Sequence, residues 1–248
     1  MRLIKPRGSS SPPGVADAEP CRILFVHIPK TAGMSLFTAL ERWATPERSL
    51  RFPQGGPEDL TAYHALSAER IGELRLLSGH LTLRAFQRRG LAGWSPITLL
   101  REPVARTLSL YSSVLENTRH PWHRLVSDMG IERFVDWLSL TPTNIDQQCR
   151  FVAGVPDAAS AFDALASEFA LATTLEHLAG FTDALSRLIA TRLRVPRKNR
   201  SRAPVRPMEV PAATLDRIRS MNEHDAALYQ RVRAAGLLGA RSAPREAR

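Results

Sequence analysis

The chain has 248 residues, with 34 Lys+Arg against 24 Asp+Glu for a formal net charge of +10, and 44% hydrophobic residues. This excludes collagenous, coiled-coil and wholly disordered chains, and the length suits one α/β domain whose core needs no staples. Two cysteines, Cys21 and Cys149, exclude a disulfide framework though not a single bridge, and a reducing compartment is expected.

Residues 1–20, with Ser9, Ser10, Ser11, Pro12, Pro13 and Gly14, have no apolar periodicity and read as a flexible leader. The fold is expected to start near Cys21. Ile23–Ile28 is a β-branched and aromatic run suited to a buried parallel strand, and it is far shorter than the ~20 residues that span a bilayer. From Ser35, Leu36, Phe37, Leu40 and Trp43 keep one helical face. A polar segment from Thr45 to Glu58 follows, then a second apolar stretch over Arg75–Leu83 broken at Ser78-Gly79-His80. Pro96–Leu100 is a third strand, stopped by Arg101-Glu102-Pro103, and Val104–Leu115 returns to helical spacing with Pro103 in its first turn.

Helices are predicted over Ile131–Leu140, Ile145–Val152 and Ala158–Glu168, a short strand near Phe169–Thr173, and a helix over Leu175–Arg194. The densest charge run lies between Ala184 and Met208, with Arg187, Arg192, Arg194, Arg197, Lys198, Arg200, Arg202 and Arg206 and no acidic residue. Pro196, Pro204 and Pro207 make its second half a loop. Met208–Val232 is one further helix, and 236–248 reads as a frayed tail, leaving 21–235 as a single domain.

Only three cations are lysines: Lys5, Lys30 and Lys198. Coding bias and anion binding would both produce such an arginine excess, so composition alone identifies no anion site. Position does more. Pro29-Lys30-Thr31-Ala32-Gly33-Met34-Ser35 lies where a buried strand turns into a helix, and there converging N–H groups and the helix dipole favour a phosphate. The lysine precedes the glycine, so this is not a Walker A loop. An ordinary strand–helix turn with Ser35 as a cap is the plain alternative. A second signal sits at Arg101, at a strand end, with Ser109 eight residues on, where an arginine fork and a hydroxyl suit a second phosphate.

His-Ile-Pro-Lys-Thr-Ala-Gly-x-Ser at His27–Ser35, together with Arg-Glu-Pro-Val-x-Arg-x-x-Ser-x-Tyr at Arg101–Tyr111, resembles the sulfotransferases that use 3′-phosphoadenosine 5′-phosphosulfate (PAPS). The likeness is to the carbohydrate branch that includes the uronosyl 2-O-sulfotransferases and bacterial relatives. Asn222, Asp225, Leu228 and Tyr229 are similar to that family's C-terminal segment, so the likeness spans roughly 22–232. Met34 departs from the family, which more often has a small or hydroxyl residue there.

The resemblance implies an α/β, P-loop-like three-layer fold with a central, mainly parallel sheet flanked by helices. It implies that Lys30, Thr31, Ala32, Gly33, Met34 and Ser35 hold the 5′-phosphosulfate, that Arg101 and Ser109 hold the 3′-phosphate, and that Asn199, Arg200 and Arg202 close over the nucleotide. PAPS would be the donor and PAP the product, with no metal required.

An alcohol acceptor needs a proton sink, and a neutral imidazole suits this near pH 7. His80, in a Gly-His pair at a strand end, is the candidate, with Lys30 neutralising the departing charge. His27 reads as a core histidine, and His120 and His123 as possible acceptor contacts. Glu102 and Glu176 are rival bases, although Glu102 is better placed to orient Arg101 by ion pairing. His64, His177 and His224 belong to no constellation, and no residues show metal-ligand spacing.

The leading expectation is therefore a sulfotransferase acting on a hydroxyl of a saccharide, glycolipid or other glycoconjugate, with no membrane span and a cytoplasmic location. A kinase or other phosphoryl transferase is the alternative. A nucleic-acid binder ranks below both, because no aromatic residue interleaves the basic run between Arg187 and Arg206.

Overall fold

The computed structural model describes residues 21–196 and 204–239. The first unit is strand β1 (Arg22–Val26), a loop, and helix α1 (Gly33–Ala44). Next come β2 (Ser49–Phe52), α2 (Pro57–His64), α3 (Ala68–Glu73), β3 (Leu76–Gly79) and α4 (Leu83–Gln87). β4 (Trp94–Leu100) leads into α5 (Pro103–Glu116), α6 (His123–Val126), α7 (Ile131–Ser139), α8 (Gln147–Ala153) and α9 (Ala158–Ser167). The chain closes with β5 (Leu171–Thr174), α10 (Leu178–Leu188), α11 (Ala212–Ser220), α12 (Glu223–Ala235) and β6 (Leu237–Leu238).

The six strands form one sheet in the order β2-β3-β1-β4-β5-β6, parallel throughout except at β6. β1 is central and buried on both faces. Its alternate side chains divide the core: Ile23 and Phe25 pack with α1 and α10, while Leu24 and Val26 pack with residues of α2, α4, α8, α9 and α12. Each fully buried side chain of this size contributes about 1.5–3 kcal/mol. A third cluster joins α5, α6, α7 and α11 beside the sheet. The architecture is thus a three-layer α/β fold, as expected, with helices on both faces of a mainly parallel sheet. No helix among the described residues is long and apolar enough to cross a membrane.

Several elements depart from the sequence expectations. The polar Thr45–Glu58 stretch contains β2, an edge strand, and the start of α2. The expected helix at Leu175–Arg194 begins with a 3₁₀ turn and ends at Leu188. The single helix expected over Met208–Val232 is two, α11 and α12. The sheet also reaches past residue 235, because Leu237 and Leu238 pair with Thr173 and Ala172 inside the expected fray. Both cysteines are free.

β1 connects toward the β2 edge, whereas β3 and β4 connect the other way. Their carboxyl ends therefore border the crevice where open α/β sheets bind ligands.

Candidate active site

The loop after β1 carries two non-glycine residues in the left-handed region, Lys30 (φ 71°) and Ala32 (φ 61°). Thr31 is fully buried and its hydroxyl donates to the Ile28 carbonyl at 2.9 Å, closing the loop from inside. The expected role of Thr31 narrows accordingly: its side chain braces the loop and is absent from the cleft lining. α1 starts with Ala32 as N-cap and no side-chain cap, so Ser35 is not the cap; it lies buried in the helix's first turn and lines the cleft. Among the described residues the amides of 30–34 have no hydrogen-bond partner, leaving a row of donors at a helix N-terminus.

Gly33 is required by packing, since a Cβ there would enter the His27 ring. Lys30 and Arg101 come together over this loop. The Arg101 guanidinium donates through Nη1 to the Lys30 carbonyl at 3.0 Å. Burial first, then the Arg101 charge, pull the Lys30 ammonium down to about 8, against a smaller opposing effect of Glu116. Two cations held close with donor-only chemistry suit an anion.

His80 and His27 meet because of strand register. Val26 pairs with Gly79, and the ladder continues one step as the His27 N–H donates to the Gly79 carbonyl at 3.0 Å. The two imidazoles then lie side by side with centroids 4.4 Å apart. His80 Nδ1 is 2.7 Å from the His27 carbonyl, which can only accept, so Nδ1 carries the hydrogen and Nε2 keeps its lone pair. Burial is the main cause that lowers the His80 pKa, so the ring is neutral at pH 7; the bond to His27 opposes the shift.

His27, 5% exposed, is held further toward the neutral form by burial and by His80, as a core histidine should be. Asp59 holds the flanking loop, accepting from the Gln54 and Gly55 amides at 2.6 and 2.7 Å. Gly55 (φ +70°) lies against the His80 backbone, where a Cβ would collide.

The rival carboxylates are committed elsewhere. Glu102 is the N-cap of α5, accepting from the Val104 and Ala105 amides at 3.0 and 2.6 Å, and it forms no ion pair with Arg101, contrary to expectation. Glu176 is hydrogen-bonded to the Tyr229 hydroxyl and lies outside the cleft lining. His120 does line the cleft. Its Nδ1 accepts from the Trp122 amide at 3.1 Å, so in the neutral ring Nε2 carries the hydrogen, the reverse of His80.

These groups open onto a cleft of about 2030 Å³, twice the upper end of ordinary small-molecule sites (about 300–1,000 Å³) and large enough for two substrates. Lys30, Met34, Ser35, His80, Arg101 and Ser109 all line it. Arg84, Arg88, Arg119, Arg150 and Arg206 add further cations, of which Arg84 is forked onto Glu168 at 2.7 Å. No Asp or Glu lines the described cleft, and among the described residues no group of His, Cys, Asp or Glu is arranged to hold a metal ion.

Asn199, Arg200 and Arg202 lie outside the described residues. The chain just after them, Pro204–Pro207, does line the cleft, and the Val205 amide anchors it by donating to Ser112 Oγ at 3.1 Å on α5.

Sequence reasoning passed over Gln148, whose side chain grips the Arg101 backbone, and Arg51. The Arg51 Nη1 contacts the Met34 sulfur at 2.9 Å, so the departure at Met34 puts a thioether against a cation. No family model matches the chain and no curated protein matches it, so the geometry carries the functional argument.

Proposed function

We propose that this protein is a PAPS-dependent sulfotransferase acting on a hydroxyl acceptor, in the carbohydrate or glycoconjugate class. One observation carries the reading: a free-amide loop with Lys30 and Arg101 stands beside a histidine fixed as a proton acceptor, at the carboxyl ends of β1, β3 and β4. The donor supplies a sulfuryl group on a phosphate leaving group. The open amides of 30–34 and the Lys30 ammonium fit the 5′ end, with Arg101 and Ser109 for the 3′-phosphate.

His80 Nε2 takes the proton as the acceptor oxygen attacks sulfur. The electron pair of the broken S–O bond leaves on the nucleotide phosphate, where the Lys30 ammonium and the loop amides meet its charge. His120 Nε2–H is a hydrogen-bond donor available to the acceptor. The cationic lining, with Lys30 and Arg101 brought together over the loop, favours a donor that bears two separated anionic groups. We place the enzyme in the cytoplasm, a reading with which the lack of a membrane-crossing helix among the described residues is compatible.

The decisive experiment incubates the full chain with labelled PAPS and a panel of glycans, glycolipids and small alcohols. Transfer that needs both the acceptor and His80 supports the proposal. Label that never reaches any acceptor, combined with no binding of PAP, rejects it.

A further inference from the structure

Gln148, the second residue of α8, is fully buried and spends its whole side-chain amide on one neighbour. Its Oε1 accepts from the Arg101 N–H at 2.9 Å, and its Nε2 donates to the Arg101 carbonyl at 2.9 Å. That pairing reproduces what an adjacent strand would offer a hydrogen-bonded residue. It does so just where β4 has ended, its last paired residue being Leu100 opposite Thr174.

Gln148 is itself fixed. Its N–H and that of Cys149 donate to the two carboxylate oxygens of Asp225, at 2.9 and 2.8 Å, so a buried acid on α12 caps α8. The Asp225 N–H donates in turn to Asp146 Oδ1 at 2.9 Å. A continuous series of hydrogen bonds, buried from α12 to the start of α8 and part-buried beyond, thus runs to Arg101 and from the Arg101 guanidinium to the Lys30 carbonyl. The neighbouring Gln147 takes the other motif arginine, accepting from Arg106 Nη1 at 2.7 Å.

We propose that Gln148 is a positioning residue that aims the Arg101 guanidinium, and so sets the preference for a nucleotide bearing a 3′-phosphate. This rests on the functional reading above, which supplies the ligand. A guanidinium fork binds phosphate through direction as well as charge. A strand end freed from its clamp would keep the charge and lose the direction.

The test measures, by calorimetric titration of the full chain, affinities for adenosine 3′,5′-bisphosphate and adenosine 5′-monophosphate. Wild type is expected to prefer the bisphosphate. Gln148→Leu, which removes both hydrogen bonds to the Arg101 backbone, should cut that preference by about tenfold while leaving monophosphate affinity unchanged. Arg101→Ala should cut it as well, and the double variant no further than Arg101→Ala alone. Gln148→Glu keeps the acceptor toward the Arg101 N–H and should fall between; it replaces the leucine variant if that one fails to fold.

A Gln148 variant with the wild-type preference overturns the proposal and leaves the functional reading standing. Equal loss for both nucleotides also overturns it, by making Gln148 a general structural residue. A wild type indifferent to the 3′-phosphate removes the functional reading and this inference with it.

Discussion

Alanine at φ 61° is an uncomfortable choice, because a side chain in the left-handed region costs about 1–2 kcal/mol. Ala32 accepts that conformation while its neighbour Gly33 does not, since Gly33 is needed for the space that the His27 ring occupies. The two exchanges should therefore behave oppositely. Ala32→Gly should hold or raise the melting temperature, and Gly33→Ala should lower stability by about 1–3 kcal/mol and weaken nucleotide binding. Thermal unfolding with and without PAP checks both, and a destabilised Ala32→Gly would contradict the strain argument. His80 after β3 and Lys30 in this loop set the pH response. His80 works when neutral and its pKa lies below 6.5, so kcat/KM should rise on the acid side of that value; Lys30 works when charged, so the rate should fall again near pH 8. Lys30→Arg keeps its charge at all working pH and should abolish the alkaline limb. Bound nucleotide raises the Lys30 pKa, so the alkaline limb of kcat should lie above that of kcat/KM. An alkaline limb unchanged in Lys30→Arg would assign it to another group.

The elements that sequence patterning missed owe their form to tertiary contact or to local endings made without the residues that usually announce them. β2 offers only Leu50 and Phe52 on its apolar side and lies at the sheet edge, too short an alternation to stand out in an arginine- and proline-rich stretch. α10 stops because Ala190 turns left-handed (φ 51°), with Thr191 N–H bonding Ser186 O at 3.0 Å and Ala190 N–H bonding Arg187 O at 3.2 Å. That is a Schellman ending made without the glycine that would announce it. α11 and α12 separate at Asn222, whose buried amide donates to the Ile218 carbonyl at 2.8 Å and takes over an acceptor from the helix. β6 adds a short antiparallel edge to β5, tied also by the Thr173 hydroxyl to the Gly236 carbonyl. Ending the chain after Ala235 should therefore uncover the β5 edge. The expected result is a lower urea midpoint and concentration-dependent association in sedimentation, with PAP affinity retained because the site lies at the ends of β1, β3 and β4. A truncated chain as stable and monomeric as the full one would deny β6 that protective role.

Across the whole molecule, the groups legible in sequence are those that a strand-end motif delivers locally: Lys30, Gly33, His80 and Arg101 reach one cleft because β1, β3 and β4 are neighbours in a parallel sheet. What supports them was legible only in part: Asp225 stood out in the C-terminal segment, but its bond to Gln148, 77 residues away, and that of Gln148 to Arg101, 47 residues away, are encoded by no local pattern. Charge was legible as a total and as one dense basic run, not as a cleft lining. The structure distributes it: the net +10 chain sets Lys30, Arg88, Arg101, Arg119, Arg150 and Arg206 around a cleft whose described lining carries no carboxylate. A concave surface of one sign focuses its field, so an anionic nucleotide should be steered inward from beyond contact distance. Raising the ionic strength from about 0.01 M to about 0.15 M shortens the screening length from about 30 Å to about 8 Å. Over that range the association rate of adenosine 3′,5′-bisphosphate should fall by about tenfold, with the dissociation rate changing far less. Arg119→Gln should lower the low-salt association rate, whereas Arg70→Gln, which removes a cation paired with Glu73 on α3 outside the cleft lining, should not. Stopped-flow measurements that find an association rate indifferent to salt, or equal effects of the two substitutions, would reduce the cationic lining to ordinary surface charge.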